Sequence, residues 1–422
     1  LEMSYEKIIA HLQQKNPDVV GITSTTPSFD VVAELSKRIK IFKKEVALIL
    51  GGPHVTALPE QSINESNADF IVIGEGELTL LELLDSISSG GSIDYNNING
   101  IAYKENNQVI VNPKRELIKN LDIIPFPDRE KMPFHLYYSP PTKALGLGQV
   151  VTMLTSRGCP FSCNYCISGV MWGEGNVRFR SAESVLEEMH YCIKNYNARE
   201  FNFHDDLFTA NKERLIKICE GIIERGWDIG WICMARVEFV DEEKIVIMKR
   251  AGLSKIAFGI ESGSKTLLQN MNKRINYEKI QQAFDLCKKH KIKSGASFMI
   301  GYFGENAQTV SETISLMKKL NPDTVSIFQA SPYPGTKFYQ EAKEKKLIRN
   351  DCKWEDYALI TKSRSVIDLP TMSATQIRYW IRKSYRSFYL RPKYIYKKMK
   401  GLSSISDLKN LYGGLKILLK LG

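Results

Sequence analysis

TSRGCPFSCNYCISG (Thr155–Gly169) sets three cysteines, Cys159, Cys163 and Cys166, at C-x3-C-x2-C spacing with no fourth cysteine nearby. The run before it, VVTMLTSRG, reads as a strand, so the thiols fall on the loop at a strand's carboxyl end. A four-iron cluster usually takes four thiolates. Three would leave one iron open, the logic by which a catalytic zinc keeps a free position. Structural zinc with one histidine is the competing reading, and it wants that ligand close by. The nearest following histidine is His190, on a predicted helix.

Working outward, strand patterns near 150–155, 200–204, 229–234, 255–260, 295–300 and 324–329 alternate with helical ones such as AESVLEEMHYCIKN and INYEKIQQAFDLCKKHK. Six βα units predict an α/β fold, an open and partial relative of the (β/α)8 barrel, with its chemistry at the carboxyl ends of the strands. The polar residues found there are Asp205 and Asp206, Arg236, Glu261 and Ser262, and the GYFGE run from Gly301 to Glu305. A lining of salt bridges would use the same residues. His204 reads as a packed strand residue.

The N-terminal third alternates short apolar runs, DVVGITS, VALILGG and DFIVIGEGE, with helical patterns. This predicts a doubly wound parallel sheet. Ligands of such sheets sit beyond the carboxyl ends of the strands. Ser24, Thr25 and Thr26, then Gly51 and Gly52, then Gly74 stand there, either as a rim for a flat or phosphate-bearing cofactor or as tight turns. The sequence opens on a helical pattern where such a domain normally opens on a strand. It therefore reads as N-terminally incomplete, or as a shortened domain starting at Met3. The expected division is 1–90 for this domain, 91–148 for a linker carrying a β-hairpin at Glu105–Asn107, 149–348 for the barrel and 349–422 for a basic helical region.

The chain has 422 residues, enough for two or three domains. No apolar run is long enough to span a bilayer, and eight irregularly spread cysteines suit a reducing cytoplasm. Cys192, Cys219, Cys233 and Cys287 fall on apolar stripes and read as core. The net charge of +11 is local: residues 371–422 hold 12 of the 58 Lys and Arg but only one acid, Asp407, so residues 1–370 balance. In that region bases alternate with aromatics, RYWIRKSYRSFYLRPKYIYKKMKG, followed by LSSISDLKNLYGGLKILLKLG. A helical cap on the barrel is the favoured reading, a surface for anionic membrane the second, and nucleic acid the least favoured.

RGCPFSCNYC, FNFHDDLFTAN, WICMARVEF, AGLSKIAFGIESGS, FMIGYFGENAQT and PDTVSIFQASPYPGT follow one another in the order seen in radical S-adenosylmethionine enzymes, and residues 149–348 resemble that superfamily. The resemblance implies a 4Fe–4S cluster on Cys159, Cys163 and Cys166, with Tyr165 at the usual aromatic position. S-adenosylmethionine would meet Asp205 and Asp206 through its amino group, Arg236 through its carboxylate, and Glu261 and Ser262 through its ribose. Backbone at Gly301–Glu305 would meet the adenine, although the family more often has Leu-Pro where Tyr302 and Phe303 stand. Beside such a barrel, DVVGITS, LILGGPH and IGEGE resemble a cobalamin-binding domain. Ser24, Thr25, Thr26, Gly51, Gly52 and Gly74 would cradle cobalamin, and the histidine loop that ligates cobalt in some cobalamin proteins is not visible. The resemblance implies an enzyme that methylates an unactivated carbon or phosphorus of a small-molecule or lipid-like substrate through a 5′-deoxyadenosyl radical, with an electron donor such as flavodoxin or ferredoxin. Two alternatives remain: an oxidative enzyme of the anaerobic tetrapyrrole cyclase type, and a non-catalytic iron–sulfur or zinc protein that binds nucleic acid.

Overall fold

The structure is a computed structural model that describes residues 3–89, 94–137, 145–359 and 364–400. Two compact units form: Leu1–Lys119 with Asn164–Glu174 and Ser331–Ile367, and Asn120–Cys163 with Gly175–Ala330 and Asp368–Gly422.

In the first unit, helix α1 (Tyr5–Lys15) leads into strands β1 (Val19–Thr23), β2 (Ala47–Gly51) and β3 (Phe70–Val72), which lie parallel in that order. Between and after them come α2 (Phe29–Phe42), α3 (Pro53–Ala57), α4 (Pro59–Glu65) and α5 (Gly76–Ser88). The continuous apolar run of β2 is explained by burial on both faces. Leu48 and Leu50 pack with Phe29, Val32 and Ile39 of α2, while Ile49 packs with Phe70, Val72 and Leu83 of α5 on the other side. The region 91–148, read from sequence as a linker, adds its hairpin to this sheet. β4 (Ile101–Glu105) pairs antiparallel with β3, and β5 (Gln108–Val111) with β4. The turn residues Asn106 and Asn107 both take positive φ, 49° and 63°, as a two-residue hairpin loop requires. Helices α6 (Ser168–Trp172) and α13 (Lys337–Glu344) also belong to this unit, and the Phe338 N–H donates to the Asn164 carbonyl at 2.9 Å.

The second unit holds the expected six parallel strands: β6 (Gln149–Met153), β9 (Ala198–Phe203), β10 (Gly230–Ala235), β11 (Leu253–Glu261), β12 (Lys293–Ile300) and β13 (Thr324–Gln329). They stand in sequential order, each beside the next. A small antiparallel pair, β7 (Ser156–Arg157) with β8 (Arg178–Phe179), follows β6. Helices α7 (Ala182–Tyr196), α8 (Lys212–Glu224), α9 (Glu242–Arg250), α10 (Lys265–Asn270), α11 (Tyr277–Lys289) and α12 (Ala307–Leu320) fill the crossovers. Their apolar stripes face inward, Val185, Met189 and Cys192 on α7 and Leu215, Ile218, Cys219 and Ile222 on α8. Cys192, Cys219, Cys233 and Cys287 are all buried.

The basic region starts with α14 (Ala374–Tyr389) and α15 (Pro392–Lys400). β13 is an edge strand, and an edge leaves backbone groups to be satisfied. Tyrosines of these helices satisfy them. Tyr385 Oη accepts from the Ile327 N–H at 2.8 Å, Tyr389 Oη accepts from the Val325 N–H at 2.9 Å, and Tyr394 Oη donates to the Asp323 carbonyl at 3.0 Å. This is the expected cap, and 401–422 of the same region lies outside the described residues. Among the described residues no helix is long and apolar enough to cross a membrane.

Candidate active site

At the carboxyl edge of the second unit, the adjacent acids Asp205 and Asp206 point to opposite sides. Asp205 is fully buried, whereas Asp206 is exposed. The Asp205 carboxylate accepts from the Thr155 N–H at 2.7 Å, from Thr155 Oγ1 at 2.5 Å and from Ser156 Oγ at 2.6 Å. Burial pushes its carboxyl up, and these three hydrogen bonds pull it back. Both oxygens therefore hold the strand that leads into the cysteines, a different task from the ammonium contact expected of Asp205. Arg214, absent from the sequence reading, braces the same strand by donating to the Thr155 carbonyl at 2.8 Å and the Arg180 carbonyl at 2.7 Å. His204, expected to be packed, is exposed, with its N–H on the Met153 carbonyl.

Cys159 and Cys163 are half-buried free thiols. Burial raises the Cys159 thiol, and the Asp206 carboxylate adds to this while the Arg236 guanidinium opposes it. Arg236 ends β10 and lies 3.6 Å over the ring of Phe161, inside the cysteine loop. Its Nη1 stands 3.9 Å from Cys163 Sγ, its Nη2 donates to the Arg274 carbonyl at 2.6 Å, and its Nε pairs with Glu238 at 3.2 Å. A delocalised, stacked guanidinium of this kind suits a fixed cation beside a thiolate. Cys166 is exposed and in no disulfide, and Tyr165 is half-buried; both belong to the first unit.

β11 ends in an irregularity between Gly259 and Glu261, and Glu261 takes φ 70°, a left-handed backbone uncommon for a side-chain-bearing residue. Strain of this kind gathers at functional positions. The Glu261 carboxylate pairs at 3.3 Å with Lys273, itself buried. Lys273 was missed because a lysine in a short interhelical loop ordinarily reads as solvated, and only its partner 12 residues away marks it. Ser262, expected to reach ribose, is fully buried. Its hydroxyl lies 3.2 Å from Thr313 Oγ1 and accepts from the Ser264 N–H at 3.1 Å. Glu305 likewise turns inward: it accepts from the Gly301 N–H at 3.1 Å and Thr309 Oγ1 at 2.8 Å, and burial pushes its carboxyl up to about 7. Gly301 has φ 102°, and a Cβ there would meet Ile377 of α14 at 3.0 Å.

In the first unit, the strand ends converge on α3. Gly52 has φ 98°, and a Cβ on it would fall 2.7 Å from the Ser24 carbonyl oxygen and from Thr23 Oγ1, so only glycine fits. Within α3, His54 Nδ1 lies 3.3 Å from Thr26 Oγ1, and Thr56 Oγ1 accepts from the Gly74 N–H at 3.0 Å. His54 is fully buried, stacked on Phe29 at 4.1 Å and in a T-shaped contact with Trp354 at 4.6 Å, and burial lowers it to about 4. It is neutral at physiological pH and locks the Thr26 loop. Ser24 and Thr26 are buried, whereas Thr25 is exposed. A Cβ on Gly51 or Gly74 would meet nothing within 4 Å. Two strand ends thus leave open space over bare backbone, and a large flat group has room to approach there.

By residue type and spacing the chain suits the groups that the sequence resemblance implies: three cysteines at cluster spacing, one beside a fixed cation, are donors suited to iron, and the glycine-bare edge suits a broad cofactor. Among the described residues, no three Cys, His, Asp or Glu side chains are gathered into a group that could hold a metal ion.

Comparison with known proteins gives the same answer. The Radical SAM superfamily profile matches residues 153–317, and that of the B12 binding domain matches residues 1–84. The chain is 37% identical to an uncharacterized methyltransferase of Pyrococcus horikoshii over 94% of this chain and 84% of that protein. It is 27% identical to the anaerobic magnesium-protoporphyrin IX monomethyl ester cyclase of Rubrivivax gelatinosus, over 100% of this chain and 74% of that protein. Among solved structures, the cobalamin-dependent S-adenosylmethionine radical enzyme OxsB shares the fold, with TM-score 0.70 and 18% identity over 99% of this chain. The chain spans 64% of the length of OxsB.

Proposed function

The chain belongs to the radical S-adenosylmethionine superfamily, in the branch that also carries a B12-binding domain, and on that premise we propose that it methylates an unactivated carbon or phosphorus centre of a small-molecule or lipid-like substrate. Membership brings a 4Fe–4S cluster and S-adenosylmethionine as cofactors, and the B12-binding match adds cobalamin. When bound, these groups supply one-electron cleavage of a sulfonium and a transferable methyl group; the protein supplies binding, orientation and a dry site. A small electron carrier such as flavodoxin or ferredoxin would feed the cluster.

One observation carries the reading. A single chain holds both a three-thiol loop at the carboxyl end of a parallel sheet and a second parallel sheet whose strand ends at Gly51 and Gly74 stand open. In this reading Cys159, Cys163 and Cys166 hold three irons, and Asp206, on the exposed side of the acid pair, meets the ammonium of S-adenosylmethionine. Arg236 and Lys273 are the cations available to its carboxylate. Glu261 reaches toward ribose, while Ser262, Gly301 and Glu305 shape the edge from behind. Tyr165 lines the cysteine loop. On the first unit, exposed Thr25 with Gly51, Gly52 and Gly74 forms the cobalamin rim, and buried Ser24 and Thr26 hold it from behind. The methyltransferase designation of the Pyrococcus relative supports methyl transfer. The cyclase of Rubrivivax, matched along the whole chain, favours ring formation as the second reading.

The test is an anaerobic assay of the reconstituted protein with methyl-labelled S-adenosylmethionine and a cell extract. Near-equal 5′-deoxyadenosine and S-adenosylhomocysteine, with label in a third product, is the expected result. 5′-Deoxyadenosine alone from cobalamin-loaded protein moves the assignment to the cyclase type. Neither product from protein with an intact cluster overturns both readings.

A further inference from the structure

The cap helices use only one of their faces. Ile377, Tyr385, Phe388 and Tyr394 are buried against the second unit, and the tyrosine hydroxyls bond the edge of β13. The other face carries large apolar side chains in water: Tyr379 is 54% exposed, Leu390 48%, Ile395 42%, Tyr396 68% and Met399 60%. Clusters of this kind on a soluble surface mark an interaction site. Residues 371–400 also hold nine Lys and Arg and no acid. Lys383, exposed, sets its Nζ 4.3 Å over the Trp380 ring, and exposed Lys393 stands two residues before Ile395.

We propose that the outward face of α14 and α15 docks the protein on an anionic lipid bilayer. Charge complementarity selects an anionic partner, because a segment with nine bases and no acid gains from a negative surface potential and is repelled by a second copy of itself. The apolar side chains select lipid over nucleic acid. Tyrosine and tryptophan settle at headgroup level, and Leu390, Ile395 and Met399 have an acyl boundary to enter, whereas a phosphate backbone offers aliphatic groups nothing.

Position argues against a reductant as the occupant. The hydrogen bonds run Tyr385 to Ile327, Tyr389 to Val325 and Tyr394 to Asp323, so α14 descends antiparallel to β13 and α15 lies at the amino end of the sheet. The cysteine loop leaves the carboxyl end of β6. A donor of electrons gains nothing by binding at the far end, whereas a membrane contact there leaves the carboxyl edge facing away from the surface.

The experiment is vesicle co-sedimentation of the full chain with phosphatidylcholine alone and with about 30% phosphatidylglycerol added. Binding is expected only to the anionic vesicles, with a steep loss between about 0.1 and about 0.5 M salt. Lys383→Glu with Lys393→Glu should weaken it at least about tenfold, since each surface charge is worth roughly fivefold. Ile395→Ser with Tyr396→Ser should weaken it in the presence of salt, when the apolar contacts dominate. Tyr385→Phe, on the buried face, should leave binding unchanged. All these variants are checked for an unaltered thermal midpoint, apart from the small loss expected of Tyr385→Phe. Equal binding to neutral vesicles, or full binding by the charge-reversed protein, overturns the proposal. So does tighter binding of an oligonucleotide that displaces the vesicles, or a dimer abolished by the Ile395 and Tyr396 substitutions.

Discussion

Asp205→Ala and Asp205→Asn should part company. The wild-type carboxylate accepts three short hydrogen bonds from Thr155 and Ser156 in a site with no exposure. Hydrogen bonds to a charged group contribute about 1.5–3 kcal/mol each, and a stranded buried donor costs about 1–3 kcal/mol. Alanine strands the Thr155 N–H, which cannot turn away, and opens a small cavity, so its cost is about 4 kcal/mol. Asparagine can aim its oxygen at that N–H and its amide at the two hydroxyls, which rotate to accept. It loses only charge assistance, about 1–2 kcal/mol. The measurement is the urea midpoint of cluster-free protein at unchanged slope, together with the rate at which Cys159 and Cys163 react with a thiol reagent. The alanine variant should show the larger midpoint loss and faster labelling. Equal effects from the two variants would refute the hydrogen-bond argument. Unchanged midpoints with S-adenosylmethionine binding abolished would restore Asp205 to the ligand role that its motif suggests.

Replacing Cys159, Cys163 or Cys166 with Ala should prevent stable cluster assembly, read as loss of the broad visible absorption after reconstitution, whereas Cys192→Ala or Cys219→Ala should keep the cluster and cost of order 1 kcal/mol in packing. Glu305 has a folded pKa of about 7 against an ordinary 4.5, so the folded chain keeps a proton that the unfolded chain loses. Stability should be full below pH 4.5 and fall as pH rises to about 7, by at most about 3 kcal/mol, and Glu305→Gln should flatten that slope in urea titrations across pH. Tyr385→Phe and Tyr389→Phe should each cost about 1–2 kcal/mol by leaving an edge N–H of β13 without its acceptor. Faster amide exchange at Ile327 or Val325 checks this, and exposed Tyr379→Phe should change neither quantity.

The six strands of the second unit were legible because short, strand-length runs with apolar residues recur at regular intervals, and helices between them repeat at a period of 3.6. The core cysteines were legible for the same reason. The hairpin was legible as a turn, with Asn106 and Asn107 supplying positive φ, but its attachment to β3 was not, since nothing local in 101–111 names a partner strand. Nor could the sequence place Ser331–Ile367 with the first unit: Trp354 packs there against His54, a contact 300 residues apart that no periodicity encodes. The site divides in the same way. Cysteine spacing is a one-dimensional property and was readable. The Arg236 stack on Phe161 and the Glu261–Lys273 pair are properties of the folded edge.

A common physical logic links the residues that were placed differently from expectation. Each strand-end motif is a run of neighbouring polar residues, and a chain leaving a strand turns successive side chains to opposite sides. One member of the run then faces the interior, where it must be hydrogen-bonded, and its neighbour faces out. Asp205 and Asp206 divide in this way, as do Ser262 and Glu261, and in the first unit Ser24 and Thr26 are buried around an exposed Thr25. The inward members hold loops: Asp205 the strand entering the cysteines, Ser262 the turn against Thr313, Thr26 the contact with His54. In the function proposed above, the outward members are the ones that meet a ligand. A motif of paired polar residues therefore specifies two things at once, an edge held rigid from beneath and a group presented above it. Preorganised sites need both, because a ligand-facing group fixes geometry only as well as the loop that carries it is fixed.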